Sequence, residues 1–550
     1  MSTRRQHAVE SLPPAAELRR QVARLLVIRG SGHLADRQRR YPRWELENDA
    51  LRRLLAEGVG GVILLGGSAA ELRLRGEQLR SWSEHPLLIC ADVEEGVGQR
   101  FEGASWLVPP LALGRLHGSD PERALSLARR YGHCTGRQAR QLGLNGVLAP
   151  VCDVNNNPEN PVINVRAWGE TTAAAGALAT AFLEGAQAEG VLCCAKHFPG
   201  HGDTSDDSHL ELPRLAHGRD RLEAIELPPF QAAIAAGCAA VMTAHLQLDA
   251  LDPLLPATLS RPVLTGLLRQ ELGFAGLVIT DALVMEAIAS RWGAEEAAVL
   301  AFEAGSDLIL MPADADAAID GLVEGFQSGR LAMEQLRQSL QRREEALAAL
   351  DVRAPGAALV PLEGLGELET PQDQALALEL VELSLETRGT PGLPAGPGVN
   401  LIRLDNSLAC PFLPAMAPAL RLPAAAGYQS CLIEASAPSP WSGDPEAPLA
   451  LERLPAGPLL LQLFVRGNPF RGSAGGDEPW PAVIRQLLRT GRLAGLTVLG
   501  SPYLWEALEP LLPRSLPAGY SPAQMPLAQA ALLTRLGLAS SQASEGGFTD

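Results

Sequence analysis

Short apolar runs alternate with longer stretches rich in Ala, Leu, Arg and Glu along the first two thirds of the chain. The runs lie at 24–29 (RLLVIR), 61–65 (GVILL), 86–92 (PLLICAD), 146–150 (GVLAP), 191–197 (VLCCAKH), 239–245 (AAVMTAH), 276–281 (GLVITD) and 307–311 (DLILM). Each is continuously apolar at its centre, the pattern of a parallel strand covered on both faces. The intervening punctuation is helical. Asp120-Pro121 supplies an acceptor cap followed by proline at the first turn, and predicts a helix through ERALSLARRYGHCTGRQARQLGL. Strand-like runs alternating with helices in this way predict an α/β fold, a (β/α)8 TIM-type barrel, with a doubly wound open sheet as the competing architecture.

The placement of polar residues separates the two. Asp92, Asp153, Lys196, His197, His245 and Asp281 all fall at or just beyond the C-terminal ends of their runs, where a barrel builds its active site. A helix over 331–350 closes this region, and the chain turns Pro- and Gly-rich from Ala354. Thr370-Pro371 caps another helix, 388–398 (RGTPGLPAGPG) reads as loop, and runs at 399–405, 430–436, 459–466 and 496–501 predict a smaller C-terminal α/β domain. The expected division is an N-terminal extension (1–20), a barrel catalytic domain (21–352), a linker with a connecting helix (353–398), the C-terminal domain (399–540) and a disordered tail (541–550).

A net charge of -17 and a pI near 5.2 exclude a phosphate-tracking surface, so nucleic acid is not an expected partner. The basic cluster Arg37 to Arg43 is flanked by Glu45 and Glu47 and reads as solvated surface. The first residues carry charge without an apolar core, and no run approaches the ~20 residues that span a bilayer. A cytoplasmic protein without membrane partners is therefore expected. The scattered cysteines sit mostly inside apolar runs and are expected to be buried free thiols.

The densest chemistry lies at 193–209, CCAKHFPGHGDTSDDSH, which contains His197, His201, His209 and the only lysine of the chain, Lys196. In an extended segment Asp207 and His209 project to the same side, so the carboxylate can fix the imidazole tautomer and raise its basicity, making a general acid/base pair. An incidental polar loop is the alternative. His197 and His201 have the spacing of helical zinc ligands, but Pro199 and Gly200 forbid a regular helix there and no Glu follows the first His. No metal or other cofactor is expected. Gly200 and Gly202 suggest a flexible loop. Asp281, ending the run GLVITD, is either a reacting carboxylate or the cap of the next helix.

KHFPGHGDTSDDSH resembles the signature of glycoside hydrolase family 3, in its β-N-acetylglucosaminidase branch, K-H-[FI]-P-G-[HL]-G-x4-D-[ST]-H, and matches every specified position from Lys196 to His209. The resemblance covers about residues 20 to 350. It implies that Asp281, in VITDALVME, is the catalytic nucleophile and His209 the acid/base with Asp207 as its partner. It implies sugar contacts from Lys196, His197, Arg166 in NPVINVRAWGE, and Asp92 and Arg100 in ADVEEGVGQRF. The implied reaction is retaining double displacement on terminal β-linked GlcNAc of a small glycan, for example a muropeptide in cell-wall recycling. A compact ammonium suits the sugar hydroxyls differently from a planar guanidinium, which would account for the solitary lysine. His245 and Asp153 are expected to support the site from behind. The segment departs from the family pattern at Glu95, in place of the first of two glycines, and at Val97, in place of Arg; LLGGSA lacks the Arg-Asn often found after the second strand. Those changes bear on the fit of the leaving group. A phosphorylase, a β-glucosidase and a barrel that binds sugar without turnover are the alternatives.

Overall fold

The computed structural model describes residues 12–205, 208, 212–353, 359–394, 396–404, 413–433, 440–466 and 478–538. All eight apolar runs form strands: β1 Leu26–Ser31, β2 Gly61–Leu65, β3 Leu88–Ala91, β4 Gly146–Val147, β5 Leu192–Phe198, β6 Ala240–Thr243, β7 Leu277–Ile279 and β8 Ile309–Leu310. They pair in parallel in chain order from β1 to β7, and β8 pairs back on β1 through Leu26–Ile309 and Val27–Leu310. A parallel bridge between Ile279 and Leu308 joins the two remaining edges, so the sheet is a barrel and not an open doubly wound sheet.

The continuous apolar runs follow from this geometry. Alternate residues point to opposite faces of a strand. Val27, Ile63, Cys90, Cys194, Met242 and Ile279 fill the barrel interior, while Ile28, Val62, Ile89, Cys193, Val241 and Val278 pack under the helices. Neither face reaches water. The helix predicted after Asp120 is Pro121–Gln141, with the Asp120 carboxylate accepting from the Arg123 amide at 3.1 Å. Helix Met333–Arg353 ends the barrel region, and Ala15–Ala23 ahead of β1 buries Leu18 and Val22 in the same outer core. The described cysteines are free, and all but Cys431 are buried.

A second sheet contains β9 Glu386–Arg388, β10 Gly398–Leu404, β11 Tyr428–Ile433, β12 Leu459–Val465, β13 Leu493–Gly500 and β14 Ala518–Ser521, in the order β9-β14-β13-β12-β10-β11. Only the β9 to β14 pair is antiparallel. The connecting helix Pro371–Ser384 begins at Thr370 with a reciprocal capping box to Asp373. Its Leu376, Leu380 and Val381 join the barrel's outer core, so the link between the two sheets is packed. Polar contacts reinforce it: the Ser105 hydroxyl donates to Glu369 at 2.9 Å, and Arg115 pairs with Glu506 at 2.7 Å.

Candidate active site

A cavity of about 510 Å³ opens at the C-terminal ends of the barrel strands, within the size range of small-ligand sites. Of the residues singled out in the sequence, Asp92, Arg100, Arg166, Lys196, His197 and Asp281 all line it, as do His201 and Ser208. Asp207 and His209 lie outside the described residues; Ser208, between them in sequence, is buried.

Part of the cavity wall is a charge-balanced network. The Lys196 ammonium, its side chain 2% exposed, donates to Asp92 Oδ1 at 2.7 Å and pairs with Glu94 Oε1 at 2.6 Å. Arg166 grips both oxygens of Glu94 with two parallel bonds of 2.8 Å, from Nε and from a terminal nitrogen, and donates a third to the Val162 carbonyl at 3.0 Å. Burial alone would raise the Glu94 carboxyl pKa, but Arg166 and Lys196 outweigh it and hold the group well below the usual carboxylate range. Burial would likewise lower the Lys196 pKa, and Asp92 with Glu94 reverses the sign. Two of the lysine's three donors bind carboxylates. A single tetrahedral nitrogen bridges the two carboxylates, a point-charge geometry different from the planar fork of a guanidinium. Arg100 belongs to the same wall, its Nε donating to the Asp92 carbonyl at 3.0 Å.

Asp153, fully buried, organises the strand end behind this network. Its carboxylate meets His197 Nδ1 at 2.7 Å, accepts from the His201 amide at 2.7 Å, and accepts from the His197 amide. Burial opposes the charge, yet the histidines keep the Asp153 pKa lowered. With Nδ1 committed to a carboxylate, Nε2 is the remaining polar atom of the His197 ring. His201 is spent inside the protein: Nδ1 is 2.8 Å from the Thr204 hydroxyl and Nε2 is 3.0 Å from the Ser208 hydroxyl. Burial, ahead of every charge, pushes its pKa down to about 4. The two loop glycines at 200 and 202 are closely surrounded. A Cβ on Gly202 would meet the Val154 carbonyl oxygen at 1.8 Å, and one on Gly200, at φ +131°, would meet the Glu226 side chain at 2.7 Å. They allow tight packing.

Asp281 follows β7, its amide donating to the Thr243 hydroxyl at 3.3 Å and its Oδ1 accepting from the Ala282 amide at 2.7 Å. The helix-cap alternative does not hold, because the next helix starts at Glu286 with Met285 as its cap residue. His245 Nε2 donates to the Ala282 carbonyl at 3.0 Å and its Nδ1 meets Thr258 at 2.8 Å, bracing the peptide after Asp281.

The two departures at 95 and 97 separate. Val97 is buried in the outer core. Glu95 lines the cavity, accepts from Trp106 Nε1 at 3.1 Å, and forms a buried 2.7 Å ion pair with Arg466, just beyond β12 of the C-terminal domain. Gln524, also from that domain, lines the cavity as well. Sequence reasoning missed Glu94, Arg29, Tyr41, Trp44, Trp106, Arg466 and Gln524. For Glu94 the D-x-E spacing in ADVEE was an available signal. Arg43 at the edge of the basic cluster, read as ordinary surface, lines the cavity together with Tyr41 and Trp44.

A barrel whose strand ends hold a carboxylate beside a cradle of ion-paired hydrogen-bonding groups has the makings of an enzyme for small polar substrates. Residues 17–345 match the Glycosyl hydrolase family 3 N terminal domain and residues 395–537 the Bacterial Glycosyl hydrolase family 3 C-terminal domain, and the chain belongs to glycosyl hydrolase family 3. Beta-hexosaminidase A of Pseudoalteromonas piscicida is 33% identical over 349 residues, 59% of this chain and 57% of that protein. The beta-hexosaminidase of Stenotrophomonas maltophilia (strain K279a) is 36% identical over 259 residues, 46% of this chain and 76% of the relative. Among solved structures, the family 3 beta-N-acetylglucosaminidase from Paenibacillus sp. str. FPU-7 superposes with a TM-score of 0.73 at 30% identity, covering 96% of this chain and 97% of that one.

Proposed function

We propose that the protein is a retaining exo-β-N-acetylglucosaminidase that removes terminal β-linked GlcNAc from small glycans, with muropeptides in a cytoplasmic recycling route as the natural source. The observation that carries this reading is that Asp281 and the Asp92–Lys196–Glu94–Arg166 cradle line one cavity at the strand ends, within a chain that also holds the complete signature from Lys196 to His209. Relatives named beta-hexosaminidase support the amino-sugar substrate.

In this mechanism the Asp281 carboxylate attacks the anomeric carbon as the bond to the leaving oxygen breaks, and His209 gives that oxygen its proton. His209 then takes a proton from water; the water oxygen bonds to the anomeric carbon, the ester to Asp281 breaks, and the sugar leaves with retained configuration. Asp207 orients His209 and stabilises the imidazolium. The cradle holds sugar hydroxyls in a fixed electrostatic environment, which lowers the cost of reaching the transition state because the dipoles need not reorganise.

The test is hydrolysis of 4-nitrophenyl β-GlcNAc and β-glucoside by purified protein, with product analysis in phosphate and non-phosphate buffers. Turnover of the GlcNAc substrate to free sugar supports the proposal. Preference for the glucoside makes the enzyme a β-glucosidase, sugar 1-phosphate makes it a phosphorylase, and sugar binding without turnover makes it a binder.

A further inference from the structure

The cations of the cavity fall into three groups, one of them Arg100 alone, whose Nε donates to the Asp92 carbonyl. Lys196, Arg166 and Arg466 each bond a carboxylate. Arg29 and Arg43 line the same cavity, and among the described residues no carboxylate lies within ion-pair distance of either. Arg29 sits near the end of β1, two residues after interior-facing Val27, and so projects into the barrel mouth. Its guanidinium lies 5.3 Å from the centre of the Tyr41 ring and 5.8 Å from that of Trp44. Both rings lie within cation–π range of the guanidinium. Arg29 Nε is buried and donates to no described group.

This placement costs free energy that is only partly offset. Burial is the largest influence on Arg29 and lowers its pKa; Glu45, Asp92 and Tyr41 oppose that at longer range, while Arg100 adds like-charge repulsion. Arginine nonetheless stays charged at neutral pH. A desolvated cation beside like charge, held over aromatic rings, is stabilised most by an oxyanion in the plane of its fork.

We propose that Arg29, assisted by Arg43, binds an oxyanion, a carboxylate or phosphate group, that enters the cavity with the substrate. The inference rests on the glycosidase reading and adds to it a substrate class: glycosides carrying a negative charge near the reacting sugar. Its net charge of -17 makes this protein a poor general anion binder, so selectivity for an anion has to come from a local site of this kind.

The test compares two aryl glycosides of whichever sugar the wild type turns over, one releasing 4-nitrophenol and one releasing 3-carboxy-4-nitrophenol. In wild type, kcat/KM favours the carboxylated substrate by about tenfold at low salt, the worth of one good charge-assisted bond, and the preference shrinks as salt rises. In Arg29→Met the ratio falls to near one, with Arg29→Lys between; using a ratio within each protein cancels any general damage to folding. Inorganic phosphate competes with the carboxylated substrate in wild type and not in Arg29→Met. Phosphate competition without a carboxylate preference assigns the site to a free anion. Equal ratios in wild type and Arg29→Met, with no phosphate effect in either, overturn the inference. Should neither sugar be turned over, the glycosidase reading fails, and calorimetric binding of phosphate to wild type and Arg29→Met still decides this one.

Discussion

Two groups of charges lining the cavity are built on opposite electrostatic plans. At the cradle every buried charge has a partner: Lys196 lies between Asp92 and Glu94, Glu94 is gripped by Arg166, and Asp153 holds His197. At the β1 rim, Arg29 has aromatic neighbours and Arg43 is exposed, with no described carboxylate paired to either. A site that meets neutral hydroxyls gains from dipoles already fixed by the protein, whereas a group waiting for a charged ligand must leave its charge uncompensated. Charges already paired within the protein stabilise it before any ligand arrives, whereas an unpaired cation gains only when an anion does.

The largest effect belongs to Asp281, which lines the same cavity. Asp281→Ala is expected to lower turnover by about 10⁴-fold or more while leaving the fold intact, since removing a nucleophile removes the covalent route. Steady-state rates together with an unchanged unfolding curve check it; retained rate would remove Asp281 from the mechanism.

Glu94→Gln comes next and separates the two plans directly. It leaves Lys196 and Arg166 in a buried network with one carboxylate fewer, a change that costs about 3–5 kcal/mol when a buried pair is broken. The urea midpoint of Glu94→Gln should fall accordingly, and that of Arg43→Ala should stay within about 0.5 kcal/mol of wild type, as for exposed substitutions generally. Similar midpoints for the two variants would dissolve the distinction.

Why was the cradle partly legible in the sequence and the rim not? The eight strands were readable because a strand covered on both faces has no polar positions to interrupt it, and site residues were readable where one polar group ends such a run, as at Asp92, Lys196 and Asp281. The edge strand β9, with sequence ETR, and β14, with AGYS, carry no apolar run and were missed. Tyr41, Arg43 and Trp44 lie in a locally charged segment, and only the folding of that segment over the barrel mouth turns them inward. Arg466 reaches Glu95 across 371 positions of sequence, a separation at which composition and periodicity carry no information.

The His201 ring sharpens the comparison through pH. Its pKa falls from 6.5 in the unfolded reference to about 4 in the folded protein, because burial disfavours the cation. Between those values the unfolded chain binds more protons than the native one, so stability is complete above about 6.5 and is lost as pH drops toward 4. The whole loss amounts to about 3 kcal/mol. Subtracting the pH dependence of His201→Gln from that of wild type, both by denaturant titration, isolates this part of the slope. A flat difference would mean the imidazole protonates as readily in the native state as in the unfolded one.

The smallest effect tests whether the C-terminal domain belongs to the cavity or merely borders it. Glu95 and Arg466 are both buried and 2.7 Å apart, so Arg466→Gln leaves the Glu95 carboxylate desolvated without this cation, and Glu95→Gln takes this carboxylate from Arg466. Glutamine at 95 keeps a carbonyl for Trp106 Nε1, which confines the change to the charge. Removing both charges together should cost less than the sum of the singles, by a coupling of about 2 kcal/mol in the unfolding free energy. The same cycle applied to KM should show coupling of the same sign, because Arg466 and Glu95 face the substrate space as well as each other. Coupling in stability without coupling in KM would leave the pair as an interdomain clasp, while additivity in both would show that two domains that fold together act on the sugar independently.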